Sequence, residues 1–419
     1  MTQITSFPKN QIRVVLVEGV HKRGHDLFAA EGFSVTALKH APNADELATL
    51  AADAHILGIR SKTSVTREIL EQAPRLLAVG CYCIGTNQVD LEAAALSGIP
   101  VFNAPFNNTR SVAELTIAEI IALHRHLFDR SSALHRGVWE KSAAGAHEVR
   151  GRTLGIVGYG HIGSQVSVLA EALGMRVVYY DTESKLPLGN ARPLGSLDEL
   201  LSIADVVTLH VPATPSTKNL IDRAKLKLVK PGSFIINNAR GSVVEIGALA
   251  EALRSGHLAG AALDVFPVEP ASREERFESE LQGLGNVILS PHIGGSTIEA
   301  QAGIAEEVSA KMIRFINVGS TNGAVNVPRV DLPEQPREGA SGPESPRSHR
   351  ILHFHRNEPG VLRTLHTVIA ELGINITGEY LQTDAHIGYV VLDVAPSDRQ
   401  ELTRRIREMP ETIRTRVLW

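Results

Sequence analysis

Cysteine is nearly missing from this 419-residue chain, which has two, Cys81 and Cys83, both in "VGCYCIG". Residues i and i+2 of a strand share a face and sit too close for an unstrained bridge, so a disulfide framework is excluded and buried reduced thiols are expected. Long apolar runs are missing too. No 18-residue apolar stretch occurs, and the opening "MTQITSFPKNQIRVVLVEG" carries no signal-peptide core. Nor is there an excess of one charge, because 42 Lys and Arg face 46 Asp and Glu for a net charge of -4. That balance offers no electrostatic reason for nucleic acid or a membrane surface. What remains is 43% hydrophobic and 21% charged, a composition able to bury real cores, and the length calls for two or three domains. A cytoplasmic enzyme or binding protein is the expectation.

Three regions follow one another. In the first, the strand-like runs "IRVVLVEG", "FSVTALK", "HILGIR", "LLAVGCYC" and "PVFNA" alternate with helical patterns such as "ADELATLAADA" and "LEAAALSG". Alternation of this kind predicts a mainly parallel, doubly wound sheet. A long helix is predicted from Ser111 to about Arg136. A second series begins near Gly151 with "TLGIVG", "VVYYD", "VVTLHVP", "FIINNAR", "AALDVF" and "VILSPH", predicting a second α/β sheet. An amphipathic stretch from Ile298 to Ile316 comes next. Residues 331–349, rich in Pro, Gly, Ser and charge, read as a linker. The remainder has the order strand, helix, strand, strand, helix, strand, which predicts a small α+β unit.

"GYGHIG" gives the first chemistry. A strand, Leu154–Val157, runs into Gly158, and a helix follows with Ile162, Val166, Leu169 and Leu173 at spacings of three and four. Gly158 permits the tight turn, Gly160 lets a pyrophosphate approach the backbone, and Gly163 lets helix and strand pack closely. Phosphates then face the helix N-terminus, where free N–H groups favour anions. Asp181 ends the next strand. A carboxylate there accepts from the adenosine ribose and repels a 2′-phosphate, so the expected cofactor is NAD rather than NADP.

Hydride transfer from an alcohol to nicotinamide needs a base for the hydroxyl proton, a cation for the substrate carboxylate, and a group that fixes the base. "NNARGSVV" places Arg240 just after a strand, "LDVFPVEP" places Glu269 after another, and "LSPHIGGST" places His292 after a third. In open α/β sheets ligands bind at those carboxyl ends. Taken singly, each could be an ordinary loop residue. Their recurrence after successive strands of one nucleotide sheet argues otherwise.

From "GYGHIG" through "HVPATPSTKNLI", "NARG", "DVFPVEP" and "SPHIGGST", the chain resembles the D-isomer-specific 2-hydroxy acid dehydrogenase family, in its form with a C-terminal ACT domain. The resemblance implies a Rossmann-type NAD domain, residues 108–297, inserted into a flavodoxin-like substrate domain made of 1–107 and 298–330, with an ACT domain over 350–419. It assigns Arg240 to the substrate carboxylate, His292 to acid/base work, and Glu269 to raising the basicity of His292. Cofactor contacts are implied at His161, Ile162, Asp181, Asn238, Ala239, Arg240, Asp264, and His292 through Ile293, Gly294 and Gly295. Related chains often carry a small residue where this one has Asn238. The active site is expected in the cleft between the two domains, closing to exclude water.

A phosphorylated substrate needs cations. "LGIRSKT" supplies Arg60 and Ser61, "FNNTRS" supplies Asn108 and Arg110, and Lys39 and Lys141 are further candidates. The resemblance implies oxidation of 3-phosphoglycerate with serine synthesis as its destination, and reduction of 2-oxoglutarate as a second activity. It also implies a homotetramer inhibited by L-serine through His355 and Asn357 of "HFHRNEPGVL", with Asn375 of "LGINIT" supplied by a neighbouring subunit. "HFH" alone, with no third ligand nearby, does not make a metal site, and none is expected. Two rival readings remain: a dehydrogenase for another D-2-hydroxy acid, and a NAD-sensing corepressor on the same scaffold.

Overall fold

The computed structural model describes residues 7–270, 274–332 and 349–418. It falls into two compact units, Met1–Pro105 with Gln301–Trp419, and Phe106–Ala300. The second is continuous and interrupts the first. Most of the expected linker lies outside the described residues, and His349 already belongs to a strand.

In the first unit, β1 (Arg13–Leu16), β2 (Ser34–Ala37), β3 (Ile56–Ile59), β4 (Ala78–Cys81) and β5 (Val101–Asn103) form a parallel sheet ordered β2-β1-β3-β4-β5. β3 and β4 are buried along their whole length, as parallel strands covered on both faces must be. One face packs on Leu47, Ile69, Leu70 and Ala93. The other receives Val308, Met312 and Phe315 of the returning helix Ile298–Val318. Gly80 makes that contact possible, since a Cβ there would lie 2.4 Å from the Met312 methyl. Neither Cys81 nor Cys83 is in a disulfide, and burial pushes the Cys81 thiol pKa up.

The second unit holds β6 (Thr153–Val157), β7 (Arg176–Tyr180), β8 (Arg192–Pro193), β9 (Val206–Leu209), β10 (Ser233–Asn237), β11 (Leu258–Leu263) and β12 (Val287–Leu289). Every pair is parallel and the order is β12-β11-β10-β9-β6-β7-β8. The order reverses between β6 and β9, which opens the ligand crevice at their carboxyl ends. One sequence expectation is corrected here. Ser111–Arg136 is not one helix but two, Thr109–Arg125 and Leu127–His135. His126 between them is left-handed at φ 49°. The strand-less segment that follows folds back on this break: His147 N donates to His124 O at 2.8 Å, and the His126 ring meets Gly145 O at 3.1 Å. A helical pattern cannot reveal a bend imposed from later in the chain.

The C-terminal strands β13 (His349–Arg356), β14 (Ile376–Thr383), β15 (Ile387–Val394) and β16 (Thr412–Leu418) form an antiparallel sheet ordered β14-β15-β13-β16. Helices Val361–Glu371 and Arg399–Arg407 cover one face through Leu365, Ile369, Leu402 and Ile406. The other face carries Leu352, Phe354, Tyr389 and Val391 into one core with Phe102 and Phe315. The small sheet is therefore part of the first unit, which its two-sided apolar strands "ILHFH" and "GYVVL" require. Arg350, 1% exposed, seals the join: it grips both Asp393 oxygens at 2.7 and 2.8 Å and donates to Val318 O at 3.2 Å. Among the described residues no helix is long and apolar enough to cross a membrane.

Removing one partner of a buried ion pair strands the other. Arg350→Ala is expected to cost the first unit about 3–5 kcal/mol in urea unfolding, whereas Arg350→Met with Asp393→Leu should recover most of that loss.

Candidate active site

The glycine loop is built as the spacing requires. Gly158 is left-handed at φ 91°, and a Cβ there would strike His210 O at 2.5 Å. A Cβ on Gly163 would lie 2.2 Å from Gly158 O, whereas Gly160 has open space around it. Helix His161–Ala172 starts with no side-chain cap, leaving its first N–H groups for an anion. Asp181 is fixed across the loop, accepting Tyr159 N at 2.7 Å and Glu183 N at 2.9 Å. The Phe106 ring lies 4.1 Å from that of His161, beside the helix start. An open backbone, an uncapped helix and an anchored carboxylate fit a dinucleotide.

Three neighbouring strands deliver the candidate reactive groups. His292, after β12, holds Glu269 Oε2 through Nδ1 at 2.8 Å. Glu269, after β11, accepts Phe266 N on its other oxygen at 3.1 Å. Its bond to Glu269 raises the His292 pKa above 6.5, overcoming the opposing effect of burial. Burial would raise Glu269, but the His292 and Phe266 bonds outweigh it and the carboxyl ends below its usual value. Both shifts describe one imidazolium–carboxylate pair. His292 is left-handed at φ 54°, a conformation a non-glycine residue adopts at a cost of about 1 kcal/mol. Arg240 follows β10, and its charge acts on both His292 and Glu269. Its Nη1 donates to Ala239 O at 2.7 Å.

The loops around this pair are clamped by residues with fixed partners. Asp264 takes Ser290 Oγ at 2.6 Å and Ile293 N at 2.8 Å on one oxygen, and Gly294 N at 2.7 Å on the other. It thus orders the His292 loop as well as standing among the expected cofactor contacts. A Cβ on Gly295 would meet Asn108 Nδ2 at 2.5 Å. Asn237, which the sequence reading missed, brackets the Arg240 loop by donating to Arg240 O at 3.0 Å and accepting Ala239 N at 3.1 Å. A lone amide ending the buried strand "FIIN" was the available signal.

The substrate candidates are distributed. Asn108 borders the helix Thr109–Arg125 and its Oδ1 is buried without a partner. Arg110 is engaged with Glu114 at 2.6 Å. Lys141 lines a surface cavity with Arg130, Leu134, Val138 and Trp139, apart from Arg240, Glu269 and His292. Arg60 and Ser61 follow β3 in the first unit, in a loop wound around the carboxylate of Glu18, which accepts Arg60 N, Lys62 N and Thr63 N at 2.9–3.0 Å. Glu18 was not legible in the sequence as an organising residue. Lys39 is exposed beyond β2. In the C-terminal sheet, His355 is 2% exposed with Nδ1 on Arg356 O at 2.8 Å, and its Nε2 is buried without a partner. Asn357 donates to Asp384 O at 2.6 Å, and Asn375 is exposed before β14.

In the acid/base role that the resemblance assigns to His292, alcohol oxidation needs the neutral imidazole, so its rate should rise with pH through a midpoint above 6.5, while ketone reduction falls through the same midpoint. Glu269→Gln is expected to lower that midpoint and slow oxidation by roughly 10²–10⁴-fold; pH–rate profiles of both proteins check this. Asp181→Ala should weaken NAD and admit NADP, read from the ratio of their kcat/KM values.

Residues 117–294 match the family of D-isomer specific 2-hydroxyacid dehydrogenase NAD binding domains, and residues 351–414 match AHAS small subunit-like ACT domains. The chain is 54% identical over 420 residues to the D-3-phosphoglycerate dehydrogenase of Haemophilus influenzae, covering 100% of both. It is 49% identical over 417 residues to that of Escherichia coli K12, covering 99% of each. Among solved structures it is similar to a D-lactate dehydrogenase from Aquifex aeolicus complexed with NAD and lactic acid, at TM-score 0.64 and 28% identity, covering 73% of this chain and 96% of that one. With a glycine loop, a histidine–carboxylate pair and an ACT sheet in one polypeptide, the chain belongs to the D-isomer specific 2-hydroxyacid dehydrogenases, among the NAD-dependent D-3-phosphoglycerate dehydrogenases.

Proposed function

We propose that the enzyme oxidises 3-phospho-D-glycerate at C2 to 3-phosphohydroxypyruvate in the cytoplasm, with Arg240, Glu269 and His292 as the catalytic set. The observation that carries this reading is the 2.8 Å bond between His292 Nδ1 and Glu269. It commits Nδ1 to the carboxylate and leaves Nε2 to meet the C2 hydroxyl. His292 accepts the hydroxyl proton as the C–H pair leaves, and Glu269 stabilises the imidazolium that forms. Bound NAD supplies the hydride acceptor. The loop glycines with His161 and Ile162 would hold its phosphates, and Asp181 its ribose. Asn238, Ala239, Asp264 and the stretch His292–Gly295 would hold its nicotinamide side. Arg240 pairs with the substrate carboxylate and polarises the C2 oxygen. In reverse, the imidazolium protonates the keto oxygen.

Arg60 is the phosphate-binding residue of this reading, with Ser61 next to it in the chain, Asn108 as a further substrate contact, and Lys39 and Lys141 in lesser roles. Support comes from the Glu18-centred loop, which fixes the Arg60 backbone while its guanidinium makes only a 3.4 Å contact to Glu18 O. Arg240 and His292 require nothing beyond a carboxylate next to the carbonyl, so 2-oxoglutarate is a second substrate. L-serine is the inhibitor, bound by His355 and Asn357 with Asn375 of a neighbouring copy, in a homotetramer. The unpartnered Nε2 of His355 and the exposed edge strand β14 support that placement.

Arg60→Ala should raise KM for 3-phosphoglycerate by roughly 10²-fold while leaving 2-oxoglutarate reduction near wild type; an unchanged KM removes Arg60 from the site. Calorimetry with L-serine should show binding that Asn357→Ala abolishes. No heat with the intact enzyme would overturn the regulatory assignment.

A further inference from the structure

Glu119 is a carboxyl group on the inward face of the helix Thr109–Arg125, 3% exposed among Val112, Ala113, Ile120 and Leu123. Its Oε2 accepts Asn238 Nδ2 at 2.7 Å. The same amide nitrogen donates to Thr116 Oγ1 at 3.0 Å, and Thr116 gives its own proton to Val112 O at 2.9 Å. Both amide protons are therefore committed. The two oxygens left over, Glu119 Oε1 and Asn238 Oδ1, are buried and meet no donor. A buried carboxylate with one amide donor and no cation is an unusual holding for a core position.

The surrounding charges are few. The helix itself contributes Thr116. The loop after β10 contributes Asn238, while Arg240 turns its guanidinium to Ala239 O. The end of β11 contributes Asp264, whose negative charge acts on Glu119, and His292 beyond it is paired with Glu269. On the neighbouring helix, His161 lies against Phe106 and Glu171 sits in the last turn. Burial raises the Glu119 pKa most, the Asn238 bond lowers it, and Asp264 raises it again, to about 7.

We propose that Glu119 and Asn238 are a positioning pair for the Arg240 loop, in which one buried proton decides which end of the Asn238 amide faces the helix. With Glu119 ionised, the amide NH2 faces it. With the proton on Oε2, that O–H is a donor, so the amide turns over and Oδ1 accepts it, while Nδ2 moves to the place of the unpartnered oxygen. The proton passes between solvent and Oε2, and no bond to carbon changes. Asn238 stands two residues before Arg240 in a loop that Asn237 also clamps, so the change in amide polarity falls beside a loop with little slack. The proposal extends the catalytic reading above and rests on the role given there to Arg240.

Glu119→Gln keeps an acceptor for Asn238 but holds no titrating proton, whereas Glu119→Leu and Asn238→Ala remove the bond. A carboxyl whose pKa is raised on folding contributes stability at low pH that is lost as pH climbs through the folded value. Over about pH 5–8 the melting temperature of the unliganded wild type should therefore fall relative to Glu119→Gln. In the catalysed reaction, Asn238→Ala and Glu119→Leu should raise KM for the hydroxy acid roughly tenfold with a smaller change in kcat. Glu119→Gln should restore KM while its profile lacks a step present in wild type. Parallel melting curves for wild type and Glu119→Gln would overturn the proposal, as would wild-type KM in Asn238→Ala. An Arg240→Lys control separates the two readings: unchanged KM there would remove Arg240 from carboxylate binding, whatever the melting curves show.

Discussion

The bond between Glu269 and His292 is the interaction on which the rest of the site depends. An imidazole alone can sit in either tautomer and turn either edge to a substrate. Here Nδ1 is committed to a carboxylate at 2.8 Å, so proton and ring orientation are set together. That bond is useful only if neither partner drifts. Phe266 N holds Glu269 from behind, and Asp264 collects Ser290, Ile293 and Gly294 around the His292 loop. The left-handed backbone of His292 shows the same constraint from another side, because a strained residue persists only where its surroundings over-determine it.

Sheet topology explains why these groups meet. β10, β11 and β12 are parallel neighbours, so their carboxyl ends lie side by side, and each is followed by one member of the set. The reversal between β6 and β9 places the glycine loop on the same edge. Close packing explains the glycines: a Cβ on Gly158 or Gly163 would strike a backbone oxygen, Gly160 leaves open space at the helix start, and Asp181 stays anchored to Tyr159 N across the loop.

Much of this was legible in the chain. "GYGHIG" between a strand and an amphipathic helix, with Asp181 ending the next strand, predicts the loop because each residue type answers a local steric or electrostatic demand. Arg240, Glu269 and His292 were legible as candidates because each follows an apolar run, and an α/β sheet exposes its ligands at such ends. What stayed hidden depends on partners far away in sequence. Glu18 orders the Arg60 loop from a different strand connection, and nothing in "VEG" announces it. Glu119 meets Asn238 more than a hundred residues later, and in its own helix it reads as one more polar position. The break at His126 is imposed by residues 145 and 147. The shared core of the C-terminal sheet was foreshadowed only by apolar residues on both faces of β13 and β15.

Glu269 holds the His292 imidazole as a stronger base than a free histidine, which direct titration can read. NMR observation of the His292 ring carbon across pH in the unliganded enzyme, with Glu269→Gln as reference, isolates this one group from turnover. The expected midpoint lies above 6.5 and falls when the carboxylate is neutralised. A midpoint at or below 6.5, unmoved by Glu269→Gln, would contradict it.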